Sequence, residues 1–417
     1  MDTPRIRLYQ ASFAKIKYTV EIYDDLQGSS DMSDFIMLQV HFDSTVLEKD
    51  LSGKLVQFVN AKVLKDGKLV SDDVWVRDGK IIDGLSVFYD ERRRADIQVN
   101  CDGLILSPGF IDIQINGGFG MDFSSLTSSD EEYERGIQLV SQKLLQYGVT
   151  SYAPTIISSS PEVYARVLPL LARRNGSEEG AGILGANVEG PFISIDKRGC
   201  HPKQHIRDFG VDAVTSIEEV RAGYFRDREI VVSLGHSCAE MADGERAINL
   251  GARCITHLFN AMQPYHHRDP SLIGLLASEM MKIRTIYYGI ISDGIHTHDS
   301  ALKIAHRTNP DGLILVTDAI AALGMGDGRH KLGDCIVNVI GHHAVLDGTN
   351  ITAGSVASMP HYALVCATEK PAKLLGIEDH KGVISLNADA DFVLISEDVQ
   401  VHATFVSGKL AYAKRSH

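Results

Sequence analysis

The sequence has no apolar run approaching the roughly 20 residues that a membrane-spanning helix requires. None of its six cysteines (Cys101, Cys200, Cys238, Cys254, Cys335, Cys366) stands in a Cys-x-x-Cys pair. Scattered cysteines exclude a zinc ribbon or a dense disulfide framework and suit reduced thiols in a cytoplasmic protein. The opening residues, Met1-Asp2-Thr3-Pro4-Arg5, lack the apolar core of a signal peptide, so secretion is not expected. An excess of positive charge is also missing. With 41 Lys and Arg against 54 Asp and Glu, the formal net charge is −13, which argues against nucleic acid or an anionic membrane as a partner. An anionic small molecule would have to be met by a local basic pocket. The glycine-rich stretches Gly117-Gly118-Phe119-Gly120 and Gly324-Met325-Gly326-Asp327-Gly328 do not stand between a strand and a helix, so they are not dinucleotide sites.

What remains is an ordinary globular composition, 44% hydrophobic and 23% charged over 417 residues. Single cores stop growing near about 250–300 residues, so two lobes are expected. Residues 1–52 mix short apolar runs with acidic ones and carry no chemical motif; they read as an extension of undetermined structure. Strand-like alternation begins in residues 55–63 and continues through 73–77, an Asp78-Gly79 turn and 80–82. It returns in residues 382–384, 390–395 and 403–410. These segments predict a small β-sandwich built from residues 53–107 and from 361–417, the latter also holding a final helix. A larger α/β domain over 108–360 is inserted between them.

Inside that insertion one design repeats. Short apolar runs at 182–186, 230–235, 254–256 and 313–317 lead into Glu189, His236, His257 and Asp318. Parallel strands closed into a (β/α)8 TIM-like barrel open all their C-terminal ends on one face, so these four residues should converge. Seven barrel strands can be counted, from 109–116 to 313–318. The interval between Glu189 and His236 is too short for the two strand-helix units that an eight-stranded order demands, so a regular fourth strand is expected to be missing.

Seven motifs then carry a resemblance. Pro108-Gly109-Phe110-Ile111-Asp112 resembles the first barrel strand of the amidohydrolase superfamily. Gln114-Ile115-Asn116-Gly117-Gly118, Val188-Glu189-Gly190-Pro191-Phe192, Leu234-Gly235-His236-Ser237, Thr256-His257-Leu258-Phe259-Asn260-Ala261-Met262, Ser292-Asp293-Gly294-Ile295-His296 and Val316-Thr317-Asp318-Ala319-Ile320 are similar, in order, to those of its N-acetylglucosamine-6-phosphate deacetylase branch. The resemblance implies hydrolysis of the acetamide of a phosphorylated amino sugar. It implies a single divalent ion on Glu189, His236 and His257, zinc first, with iron, cobalt and manganese compatible. Gln114 and Asn116 stand where most amidohydrolases have His-x-His, which removes one metal subsite. Asp318 becomes general base and then general acid. Asn260, the Ala261 backbone, Arg268 and His296 are implied to contact the 6-phosphate, part of the set coming from the second subunit of a homodimer, and His201 to reach the substrate.

Two other readings stand beside this one. A non-catalytic or unstable member of the branch would keep metal or subunit binding without turnover. A cyclic-amide hydrolase of the same superfamily is weaker, because His-x-His and a bridging lysine are absent. Asp318 on its own could also serve as an ordinary helix N-cap.

Overall fold

The computed structural model describes residues 7–13, 16–22, 37–207, 230–282, 284–358 and 364–415. It divides into two compact units, Met1–Gly109 with Asp379–His417, and Phe110–Glu378.

The first unit holds two sheets. One has the order Arg7–Phe13, Ile16–Ile22, Leu38–His41, Ile97–Asn100, Val56–Val59, Val74–Arg77, Lys80–Ile82. The other runs Lys409–Ala413, Val401–Val406, Phe392–Ile395, Ile105–Pro108, Lys62–Lys65, Lys68–Ser71. Side chains alternate along a strand, so Val56 and Phe58 are buried while Gln57 and Val59 are not. The Phe58 ring meets Phe392 at 4.8 Å and Phe405 at 5.1 Å, both edge-on, and these residues anchor one shared apolar core. Arg77 pairs with Lys80 across the turn, whose Asp78 and Gly79 have φ of 49° and 76°. Two left-handed residues match the twist of the strands they join.

The expected boundaries shift at both ends. Leu38–His41 pairs in parallel with Ile97–Asn100, so this part of the N-terminal extension belongs to the sheet. The rest of the described extension comprises the hairpin Arg7–Phe13 with Ile16–Ile22 and a short 3-10 turn, Thr45–Glu48, whose Leu47 is buried. Toward the C-terminus, helix Glu369–Leu375 falls in the second unit, where Ala372 shares a small core with Ile111 and Ile377.

The second unit is α/β. Strands Phe110–Ile115 and Val149–Ile156 pair in parallel, and the third strand follows as two short pieces, Gly182–Ile183 and Asn187–Val188. A second parallel sheet runs Ser233–Leu234, Cys254–Ile255, Tyr287–Ile291, Leu313–Val316. Tyr287–Ile291 and Leu313–Val316 are buried along their whole length, as expected of strands covered on both faces. The two sheets join where Asp318 N–H donates to Gln114 O at 2.8 Å and Asn116 N–H to Ala319 O at 2.7 Å. The result is an arc of seven parallel strands. Its helices include Asp130–Leu144 and Pro161–Leu170, each N-capped by a serine hydroxyl, Ser129 and Ser160.

A closed barrel is not what the described strands form. Among the described residues nothing pairs Asn187–Val188 with Ser233–Leu234, and the arc stays open there. The expected gap at the fourth strand falls in this interval, of which residues 208–229 lie outside the described set. After Asp318 the chain adds an antiparallel sheet, Gly328–Leu332, Cys335–Ile340 and His343–Leu346.

Candidate metal centre and active site

The site is built at the C-terminal ends of the arc's strands. His236 follows Ser233–Leu234 by two residues, His257 follows Cys254–Ile255 by two, and Asp318 follows Leu313–Val316 by two. All three have left-handed backbones, with φ of 46°, 28° and 48°. Such a conformation at a bulky residue costs about 1–3 kcal/mol and persists only where its surroundings over-determine it. The neighbouring backbone supplies that constraint. Thr256 N–H donates to Leu234 O and Leu258 N–H to Gly289 O, while Asp318 exchanges backbone bonds with Gln114 and Ser355.

Three buried atoms meet where the strands converge. Glu189 Oε1 lies 3.2 Å from His236 Nε2 and 3.0 Å from His257 Nε2, and the two imidazole nitrogens are 2.9 Å apart. His236 Nδ1 is 2.7 Å from the Lys197 carbonyl, which can only accept, so Nδ1 carries the hydrogen and a neutral ring presents its lone pair at Nε2. That lone pair faces a carboxylate oxygen, an arrangement that needs a proton or a cation between them. With bonds of about 2.0–2.1 Å, a tetrahedral ion would hold its ligands roughly 3.3 Å apart, close to what is seen. The set of one carboxylate and two imidazoles therefore fits a divalent ion.

The charges agree with this crowding. Burial opposes ionisation of Glu189, yet hydrogen bonds and charge from His236 and His257 hold its carboxyl well below the usual range. Burial likewise works against a charged His257, but Glu189 and then Asp318 outweigh it and push the imidazole up to about 9. Glu189 and Asp318 are bridged by Gln114, whose Nε2 donates to Glu189 Oε1 and to Asp318 Oδ1, both at 3.2 Å. Asn116 Nδ2 donates to the same Asp318 oxygen at 2.8 Å. Burial, and then the negative charge of Glu189, push Asp318 up to about 6.

His201 is set by Ser158. The Ser158 N–H donates to His201 Nδ1 at 3.1 Å, so the neutral ring carries its hydrogen on Nε2. Burial, reinforced by His236, drives its pKa down to about 3 and keeps it neutral. The ring lies 4.5 Å from that of His236. Gly190 makes this approach feasible: its φ is 91°, and a Cβ there would come within 2.1 Å of Ser158 Oγ.

A cavity of about 500 Å³ opens over these groups. Glu189, His201, His236, His257 and Asp318 line it, as do Asn116, Asn260, Ala261 and His296. Gln114 is buried and acts on the site through its two bonds. Arg268 is not brought in. It is exposed on the loop after Met262, beside the equally exposed His266 and His267. The sequence reading missed the supports: Ser158, the Lys197 carbonyl, and Asp112, which accepts from Thr317 Oγ1 at 2.5 Å directly before Asp318. A backbone carbonyl leaves no mark in residue identity. Asp112 did stand inside a quoted motif, where its buried carboxyl, pushed up to about 7 chiefly by desolvation, could not be inferred.

Comparison with known proteins places the chain in a family. The amidohydrolase family model matches residues 220–411. The chain is 52% identical over 411 residues to an N-acetylglucosamine-6-phosphate deacetylase of Caenorhabditis elegans, covering 90% of this chain and 98% of that protein. It is 46% identical over 397 residues to the one of Homo sapiens, covering 86% and 96%. Ninety per cent of this chain is fewer residues than the 411 aligned positions, so the nematode protein has residues where this chain has none. Among solved structures, the deacetylase of Pasteurella multocida superposes with a TM-score of 0.74 at 25% identity, over 86% of this chain and all of that one. The fold of the Thermotoga maritima deacetylase matches with a TM-score of 0.70 at 24% identity, over 86% and 100%.

Proposed function

The chain belongs to the N-acetylglucosamine-6-phosphate deacetylases of the amidohydrolase family, and from that premise we propose how its residues divide the work. The reaction is hydrolysis of the acetamide of N-acetyl-D-glucosamine 6-phosphate to acetate and D-glucosamine 6-phosphate. The observation that carries this reading is the buried trio Glu189, His236 and His257, tied by the Gln114 amide to Asp318.

Glu189, His236 and His257 hold one divalent ion, and zinc suits this borderline donor set best. When bound, the ion supplies Lewis acidity, which polarises a carbonyl and makes water a competent nucleophile near neutral pH. Asp318 takes the proton of the attacking water as the new C–O bond forms. It returns that proton to the amine nitrogen as the C–N bond breaks. Asn116 and Gln114, both donating to Asp318 Oδ1, hold the carboxylate in place and leave Oδ2 to the proton. His201, with its hydrogen on Nε2, donates to the acetyl oxygen as charge builds there.

Asn260, the Ala261 backbone and His296 form the phosphate end of the cavity. Arg268 joins from the second subunit of a homodimer, a reading supported by its exposure outside its own chain's cavity. The same proposal includes a barrel shortened at its fourth strand, supported by the short sequence interval between Glu189 and His236 and by the fact that this chain lacks some of the aligned positions of its nematode relative. It also places the protein in the cytoplasm, where six unpaired thiols are at home. Among the described residues no helix is long and apolar enough to cross a membrane.

The shortened interval also favours a second reading, a family member that keeps its metal without turning over. Acetate release from N-acetylglucosamine 6-phosphate, measured with and without a chelator and beside the unphosphorylated sugar, separates the two. Chelator-sensitive turnover that prefers the phosphorylated sugar is the expected result. A folded, metal-loaded protein with no turnover supports the second reading.

A further inference from the structure

Strand Tyr287–Ile291 leads into a carboxylate–imidazole pair held within a single turn. Asp293 and His296 sit in the turn that follows it, both side chains almost fully buried at 4% and 8% exposure. Asp293 Oδ1 accepts the backbone N–H of Ile295 at 2.9 Å and of His296 at 2.8 Å, closing the turn. Its Oδ2 lies 2.6 Å from His296 Nδ1. One carboxylate thus fixes both the backbone that carries the imidazole and the rotation of its ring.

We propose that Asp293 is a positioning residue for phosphate recognition, holding His296 as an imidazolium whose Nε2–H is presented to the 6-phosphate. The inference rests on the assignment of His296 to the phosphate made above. An ionised carboxylate can only accept, so Nδ1 must carry a hydrogen. For Nε2 to donate to a phosphate oxygen the ring must then hold both hydrogens, and the Asp293 carboxylate offsets the charge this creates. Charge-assisted donation to phosphate is roughly twice as strong as a neutral hydrogen bond. Burial opposes ionisation of Asp293, but the bonds and charge of His296 keep its carboxyl below the usual range, so the acceptor remains an anion. The arrangement places His296 on the cavity wall from the chain's own fold.

The test compares the purified, metal-loaded protein with Asp293→Asn, Asp293→Ala, His296→Asn and the double variant Asp293→Asn/His296→Asn. Each is assayed on N-acetylglucosamine 6-phosphate and on N-acetylglucosamine. An asparagine keeps an oxygen for the two backbone bonds, so the turn survives. Its amide donates to Nδ1 instead, which leaves a neutral ring with hydrogen on Nε2 alone. We expect Asp293→Asn to lower the preference for the phosphorylated sugar about tenfold, mainly through KM, and Asp293→Ala to lower it further. The double variant should be no worse than His296→Asn.

If His296→Asn reduces that preference while neither Asp293 variant does, the inference fails and the assignment of His296 stands. If His296→Asn loses both substrates equally, the assignment fails and takes the inference with it. Additive losses in the double variant, or equal losses on both sugars with Asp293→Asn, reduce Asp293 to a structural turn residue and overturn the proposal.

Discussion

His236 donates its Nδ1 hydrogen to the backbone carbonyl of Lys197 at 2.7 Å, across 39 residues of sequence. That bond sets the tautomer, aims Nε2 at Glu189 and ties the loop after the third strand to the fourth described one. A ligand oriented in this way loses little freedom when it binds a cation. His236→Ala should therefore reduce bound metal from about one ion per chain to a small fraction. Elemental analysis after dialysis measures this, and full retention of metal would remove His236 from the ligand set.

Removing the metal should destabilise the second unit. Without a cation, three buried polar atoms within 3.2 Å of one another must share protons instead. A chelator should lower the melting temperature by about 5 °C or more, and added zinc should restore it. An unchanged melt on a sample shown to have lost its metal would contradict this.

Asp318→Asn should cut kcat by about 10²–10⁴-fold while leaving the metal content intact. The shift of Asp318 up to about 6, caused first by burial and then by Glu189, sets the direction of the pH dependence. The carboxylate works as a base only when deprotonated, so kcat/KM should fall as pH drops through that region. A bound cation can only move this limb to lower pH. A pH profile measures it, and activity rising toward acid would contradict the assigned role.

Gly190→Ala probes the support of His201. The new Cβ would meet Ser158 Oγ at 2.1 Å, on a backbone with φ of 91° that alanine resists. His201 should lose its partner at Nδ1, and kcat should fall about 10–100-fold with metal content held. Assaying turnover beside metal content distinguishes this from loss of the metal centre.

In the sandwich unit, Lys381 is buried against Asp391 and lies 2.9 Å from Asp389. Asp391→Asn leaves an ammonium partly uncompensated and should cost about 3 kcal/mol, the lower end of the range for breaking a buried pair because Asp389 remains. Urea unfolding measures the loss. Turnover per folded molecule should not change.

The sequence by itself determined which residues converge on the cavity. Glu189, His236, His257 and Asp318 each end an apolar, β-branched run, and parallel strands can deliver their C-terminal ends only to one side. The Asp78-Gly79 turn and the sandwich strands were legible for the same reason: alternation and turn chemistry are local. Tertiary structure alone decided the supports. The Lys197 carbonyl has no residue signature, Ser158 reaches His201 across 43 residues, and Asp112 meets Thr317 across 205. Only the assembled fold could leave Arg268 outside its own chain's cavity while His296, from a later strand, lines it. Strand periodicity fixes which residues stand at the ends of strands. Tautomers, buried charges and cavity walls depend on which distant backbone packs against them, and no local pattern carries that information.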